Sequence, residues 1–440
     1  MLNVVLRHHD PRVDQDGCHR GVRTGPESRS LVRPGPARKP AAGERPRWPI
    51  RDAQEAMLFR YFILELAPLF DMCDDERHFA RVVPCRAAGS PPLMNAMLAA
   101  AAKRLSRIRG LDRLVVDHYH QKCLDVLIPA LSSSAAVLDE NLLPAIVILR
   151  FVEELDVPIA TAASPEPHLI GTRVFVSAQG DLRGMTALWR AAFWLALRQE
   201  IHMALVQARP VHSTFALEHA AARLGVRRDG DAGCGFANLL IVQCALCVRY
   251  CYGPAPRTAA AWDGLREAQD ALWAGRPWMF EPLHEGDDDG GETFSGRLPV
   301  RHYLNDAVVT GVQNFHLTKI LMAAHDPRAP RLGPGQSLAA QETNLEIKRI
   351  VRLTAPAYVN ACIAITMAGD RFADRHEQEL FYRILVKTDA ELAWPTHLAQ
   401  ERMKEAWRWS GSSPRPAMSI QGVLNGDGRL DLPADLAMET

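Results

Sequence analysis

From Asp52 onward the apolar positions of the chain recur three and four residues apart, the spacing of helices buried along one face. The first such segment opens with Asp52-Ala-Gln-Glu55, which has the spacing of a capping box, and continues with Leu58, Tyr61, Phe62 and Leu66 on one face. Pro68 predicts its end. The same spacing predicts helices over residues 93–108, 115–131, 142–154, 185–209, 236–251, 259–274, 300–325, 337–353 and 358–372. Two more follow, one capped by Asp374 and a last one ending near Trp409. Only "TRVFV", residues 172–176, alternates like a strand, and one short strand cannot build a sheet. The expected fold is all-α, an irregular multi-helix bundle or array without a fixed-period repeat.

Composition divides the chain into three parts. The first 50 residues carry ten Arg or Lys against five acids, among frequent Pro and Gly and with no apolar period. Such a segment buries too little surface to offset the entropy of ordering, so residues 1–48 are expected to be a disordered basic segment. Residues 49–410 form the expected helical domain. Residues 411–440 read as a flexible tail in which Asp427, Asp431, Asp435 and Glu439 alternate with Leu430, Leu432, Leu436 and Met438.

Across the whole chain 51 basic residues balance 51 acidic ones, which excludes a global field favouring nucleic acid or an anionic membrane. Nine cysteines without a disulfide rhythm, and no charged-then-apolar leader, point to a reducing intracellular compartment. The uncharged runs 232–248 and 353–369 only reach the ~17-residue lower limit of a membrane span. Each contains Gly with Asn or Gln, so both are expected to be buried helices and no membrane contact is expected.

The densest candidate chemistry is "CALCVRYC", which places Cys244, Cys247 and Cys251 on one narrow arc of a helix. Cys244 and Cys251 are separated by roughly 10 Å along the axis, too far to share one zinc. Cys247 and Cys251 could share an ion only with ligands from elsewhere, and no Cys or His pair announces itself. Core packing is therefore the expectation, with no metal, cofactor or catalytic residue assigned.

The acidic clusters do not reproduce the DDxxD motif that helical prenyl-chain cyclases carry on a helix. Asp287-Asp288-Asp289 falls in a Gly-rich loop, and Asp74-Asp75-Glu76 follows a helix end, where acids serve as caps. "RLGPG" lacks the Lys of a phosphate loop. His118 and His120 point about 200° apart on a helix, so one is expected buried and one exposed. Arg150 and Glu200, each inside an apolar helix, are expected to pair in the core. No enzymatic activity is expected.

Seven segments, in order, carry a resemblance: "RDAQEAMLFRYFILELAPLFDMCDDERHFARVVP", "HYHQKCLDVLIPAL", "VLDENLLPAIVILRFVEELD", "RAAFWLALRQEIHMAL", "RYCYG", "TGVQNFHLTKILMAAHDPRAPRLGPG" and "ACIAITMAGDRFADRHEQE". Together, over about residues 50–409, they resemble the regulatory domain of fungal zinc-cluster transcription factors, in particular the ARCA-like group. The resemblance implies a nuclear transcription regulator whose partners are transcription machinery or related zinc-cluster factors.

The chain departs from that family in two places. Upstream of residue 50 it has only Cys18, whereas a binuclear cluster needs six cysteines. At "EIKRIVRLTAPAYVNA" the connection between two helices is shorter than in the family. The expectation is thus a regulatory protein without its own DNA-binding zinc cluster. The alternative is a cytosolic helical protein that binds a ligand or partner and has no role in transcription.

Binding of the full chain to DNA should be weak, indifferent to sequence and steeply salt-dependent. Arg33, Arg38, Lys39, Arg45 and Arg47 can neutralise phosphates but lie in a segment with no fold to enter a groove. Removing residues 1–48 should abolish this binding in a filter or anisotropy assay. A sequence preference surviving about 0.2 M salt would contradict it.

Overall fold

The computed structural model describes residues 50–131, 139–159, 186–218, 220, 232–284, 301–329, 334–353 and 357–409. The basic segment 1–48, "TRVFV", the acidic loop at Asp287 and the tail 411–440 lie outside them. Among the described residues the structure is helical, without strands, and one isolated antiparallel bridge pairs His284 with His302. The fold class is all-α.

The first helix, α1 (Ala53–Tyr61), begins where expected, with Asp52 accepting from the amides of Gln54 and Glu55 at 3.1 and 3.2 Å. The reciprocal half of the capping box is replaced: the Glu55 carboxylate accepts from the Tyr119 hydroxyl at 3.2 Å. Pro68 does not end the segment. A π-turn over Phe62–Leu66 absorbs the break, and Pro68 sits in the first turn of α2 (Ala67–Phe70), where its missing N–H costs nothing. Two short helices follow that the periodicity did not reveal, α3 (His78–Arg81) and α4 (Val83–Ala87).

Next comes α5 (Pro91–Arg109), ended by Gly110 at φ 69°, a left-handed cap that favours glycine. Its buried run Ala99–Ala102 offers small side chains to the helices packed on either side, α6 (Arg113–Leu131) and α7 (Leu142–Glu154). The chain then builds outward through α8 (Ala187–Val206), packed on α7, and α9 (Ala232–Tyr252), packed on α8. α10 (Ala259–Ala274) flanks α9, with Trp262 donating to the Met322 carbonyl at 3.2 Å.

The axis of this half is α11 (Asp306–Ala324). It starts six residues later than the sequence suggests, because residues before Asn305 form the bridge at His302 and Asn305 caps the helix by accepting from the Val308 amide at 3.0 Å. Nearly every side chain of α11 is buried, between α9 on one side and α12 (Pro334–Val351) and α13 (Tyr358–Ala368) on the other. The expected 358–372 helix stops at Ala368 and tightens into a 3₁₀ turn over Gly369–Arg371.

The last two helices are α14 (Arg375–Leu392), capped by Asp374 as expected, and α15 (His397–Ala406). α14 closes back on α5, where buried Arg104 donates to the Glu65 carbonyl at 3.2 Å and to the Glu391 carbonyl at 3.3 Å. α9 is the one described helix long and apolar enough to cross a membrane, and most of that stretch is buried in the protein.

The α9–α11 approach depends on Gly311, because a methyl group there would lie 2.8 Å from the Phe280 ring and 3.1 Å from the Ala237 backbone. Gly311→Ala should therefore lower stability by roughly 1–3 kcal/mol despite the better helix propensity of alanine. The control is Gly264→Ala on the open face of α10, where nothing lies within 4 Å. It should gain roughly 0.5–1 kcal/mol. Urea denaturation of the two variants checks both signs.

Candidate functional site

The three cysteines of "CALCVRYC" lie on the face of α9 that meets α11, and all are buried. Burial pushes the Cys244 thiol up to about 12, against a hydrogen bond to Thr318. Cys247 and Cys251 differ from it, since their sulfurs are 3.9 Å apart and the Cys247 thiol can donate to Cys251. The imidazole of His325, at the C-terminal end of α11, completes the group: its Nδ1 donates to the Leu321 carbonyl at 3.1 Å, the same carbonyl that the Cys251 sulfur meets at 3.9 Å, and the interaction of the ring with Cys251 raises its pKa.

The hydrogen bond from Cys247 lowers the Cys251 pKa, against burial and with help from His325. The same bond holds Cys247 well above the ordinary thiol value, while contact with Cys251 raises His325. Core packing of the cysteines is thus what the structure shows. The pairing with His325 is what the sequence missed, because nothing in "LMAAHD" points 74 residues back. Among the described residues no group of three or more His, Cys, Asp or Glu is placed to hold a metal ion.

A second cluster joins α7, α8 and the segment after α8. Arg150 and Glu200 pair as expected, at 3.3 Å, both almost fully buried. Glu200 collects more donors than the sequence suggested. Arg209 reaches its two oxygens at 2.6 and 3.3 Å, and the His212 amide donates at 3.1 Å. Burial alone would raise Glu200, but the Arg209 hydrogen bonds, the two guanidinium charges and the His212 amide outweigh it and hold the group ionised.

Glu154 receives the remainder: a 3.4 Å contact from the Arg150 Nε and a 3.4 Å hydrogen bond from Gln199. Burial, only partly countered by Arg150, raises its pKa to about 8, so it stays protonated at neutral pH. His202, edge-on to Trp394 at 5.1 Å, is driven down to about 3 by burial and by the Arg150 charge, and remains neutral.

Of the other acidic candidates, Asp74 serves as a cap, Asp75 does not, and Asp287-Asp288-Asp289 lies outside the described residues. Asp74 accepts from the His78 amide at 2.7 Å and pairs with its ring at 2.8 Å, while Asp75 accepts from the Cys234 thiol at 2.9 Å. The sequence reading overlooked Asp71, whose two oxygens accept from the Phe79 and Ala80 amides at 2.8 and 2.9 Å. His118 is exposed and edge-on to Tyr119, and His120 is half-buried. Also unforeseen is a buried pair between α11 and α12, His316 to Glu346 at 2.6 Å, with Arg349 on the second carboxylate oxygen at 2.7 Å.

A groove of about 260 Å³ opens beside these elements, lined by Ile159, Leu205, Tyr252, Ile363, Thr366 and Arg402. The ionic cluster itself is enclosed by helices and acts chemically as a clamp: one guanidinium shared between two carboxylates of opposite protonation. Comparison with known protein families, curated proteins and solved structures finds no match for this chain.

Because Glu154 binds its proton more tightly folded than unfolded, its contribution to stability falls as pH rises from about 4.5 to about 8 and is level above that. Glu154→Gln, which keeps the neutral form, should be about 1–3 kcal/mol more stable than the parent at pH 8 and no more stable at pH 4. Glu200→Gln should cost about 3–5 kcal/mol at neutral pH, by leaving Arg150 and Arg209 without their shared anion. Urea unfolding across pH 4–8.5 measures both, and equal effects of the two substitutions would refute the division of roles.

Proposed function

We propose that this chain is a transcription-regulatory protein of the fungal zinc-cluster factor type, acting in the nucleus through its helical domain. The observation that carries the reading is where the resembling segments fall. "AIVILRFVEEL" belongs to α7, "RAAFWLALRQEIHMAL" to α8, "TGVQNFHLTKILMAA" to α11 and "ACIAITMAG" to α13, the helices that build the core. A likeness concentrated in interior helices bears on the packing of the whole domain, since interior positions constrain one another through close packing.

The chemistry of the interior supports a regulatory rather than a catalytic role. The Arg150–Glu200–Arg209 cluster is spent on holding helices together, and the carboxylates of Asp71 and Asp74 on capping α3. In this reading a separate DNA-binding partner, such as a related zinc-cluster factor, brings the domain to DNA. The tail around Leu430, Leu432 and Leu436 then meets the transcription machinery, its acidic residues keeping those leucines solvated.

Fusing residues 50–440 to a foreign DNA-binding domain should change reporter output in a fungal host. Replacing Leu430, Leu432 and Leu436 by Ala should remove part of the change. A fusion that is well expressed and nuclear yet leaves the reporter untouched in either direction ends the regulator reading and favours the ligand-binding or partner-binding alternative.

A further inference from the structure

We propose that Cys251 and Cys247 form a peroxide-reactive dithiol, with Cys251 the nucleophile, Cys247 the resolving thiol and His325 the group that assists proton transfer. The geometry carries this. The two sulfurs stand 3.9 Å apart on successive turns of one helix face, so they must close by about 2 Å to reach disulfide distance. Side chains four apart on a helix have Cβ atoms about 5–6 Å apart, slightly more than a disulfide spans, so some backbone adjustment is needed. Cys251 lies in the last turn of α9, next to Tyr252, where terminal carbonyls are free of intrahelical partners and the backbone can tighten.

The electrostatics agree. The Cys247 hydrogen bond and the neighbouring imidazole both favour the Cys251 thiolate, and thiolate is the reactive form. Cys244, a turn earlier on the same face, hydrogen-bonds Thr318, and its raised pKa keeps it protonated and inert. Chemistry is thus concentrated on two of the three cysteines that share this arc. The Tyr252 ring is edge-on to His325 at 5.3 Å, and Tyr252 is among the residues lining the 260 Å³ groove; Cys251 is 2% exposed and Cys247 0%, so the oxidant must be a small hydroperoxide that enters past this ring.

The reaction balances with a hydroperoxide as oxidant. The Cys251 thiolate attacks one peroxide oxygen, the S–O bond forms and the O–O bond breaks. The leaving alkoxide takes a proton from His325, giving an alcohol, or water when the oxidant is hydrogen peroxide. The Cys247 sulfur then attacks the sulfenic acid, the S–S bond forms and the S–O bond breaks, and hydroxide leaves with the Cys247 proton as water. Two thiols are oxidised and one hydroperoxide is reduced.

The test treats the full folded chain with hydrogen peroxide and follows each cysteine by mass spectrometry after alkylation, with the exposed Cys85 as internal reference. The peptide containing Cys247 and Cys251 should become an intramolecular disulfide that dithiothreitol reverses, roughly tenfold faster than Cys85 oxidises. Cys247→Ser, which keeps a hydroxyl donor beside Cys251 but cannot form the disulfide, should trap a sulfenic acid on Cys251 that dimedone labels. Cys251→Ser should leave Cys247 reduced, and His325→Gln should oxidise more slowly than the parent. If Cys85 is oxidised while Cys247 and Cys251 stay reduced in the parent protein, the proposal is wrong. If Cys247 is labelled in Cys251→Ser as fast as Cys251 is in Cys247→Ser, the assignment of roles is wrong.

Discussion

A helix enclosed on every side sets a cost on each polar side chain left unpaired, and α11 carries Thr310, Gln313, Asn314, His316 and Thr318 in full burial. Each unmet polar group there would cost on the order of 1–3 kcal/mol. The helix meets much of this demand within itself. Thr310 donates to the Asp306 carbonyl, Asn314 to the Thr310 carbonyl and Thr318 to the Asn314 carbonyl, a ladder in which each side chain bonds four residues back. His316, too large for that device, takes Glu346 from α12, and the Gln313 Oε1 is left buried without a hydrogen-bond partner. The ladder satisfies Thr310, Asn314 and Thr318 within α11, so at those positions α9, α12 and α13 can pack against it as they would against leucines and alanines.

The other half of the molecule handles its buried polarity by sharing charge. Two carboxylates compete for Arg150, and the contest is decided by Arg209 and the His212 amide, which both favour Glu200. Glu154 is left as a neutral acid. The arrangement fixes the segment after α8 to the two helices it follows, so the direction in which the chain leaves this layer is set by an ion pair instead of by a turn motif. Hydrophobic burial supplies the bulk of the stability, while these pairs determine which helix faces meet.

Much of the fold was legible because helical spacing survives wherever one face is buried: α7 and α10 have the predicted ends, and Asp374 caps α14 as read. The failures have local causes. Pro68 looked like a terminator because its cost inside a helix is large, yet a π-turn relocates it to a first turn where that cost vanishes. The start of α11 was drawn too early because apolar residues before Asn305 keep a helical spacing that the His284–His302 bridge overrides. α3 and α4, four and five residues long, are too short to show a period. For the candidate sites, the sequence marked Cys247, Cys251, Arg150 and Glu200, each conspicuous by type or setting. It did not mark His325, Arg209 or Glu346, whose meaning comes from partners brought near by the fold, and no local pattern encodes such a meeting.

The Arg104 clasp bears on how the molecule is made. Its two acceptors, the carbonyls of Glu65 and Glu391, stand 39 residues before it and 287 after it, so the guanidinium cannot be satisfied until almost the whole helical region has been synthesised. During translation at ~5–20 residues per second, the α5 face that will receive α14 waits uncovered for tens of seconds. Contacts between such distant segments also carry a large loop-closure cost, which places the docking of α14 late in folding. The nascent protein therefore passes through a stage in which its N-terminal helices are assembled around an open apolar flank carrying a half-bonded arginine, a surface of the kind that chaperones hold.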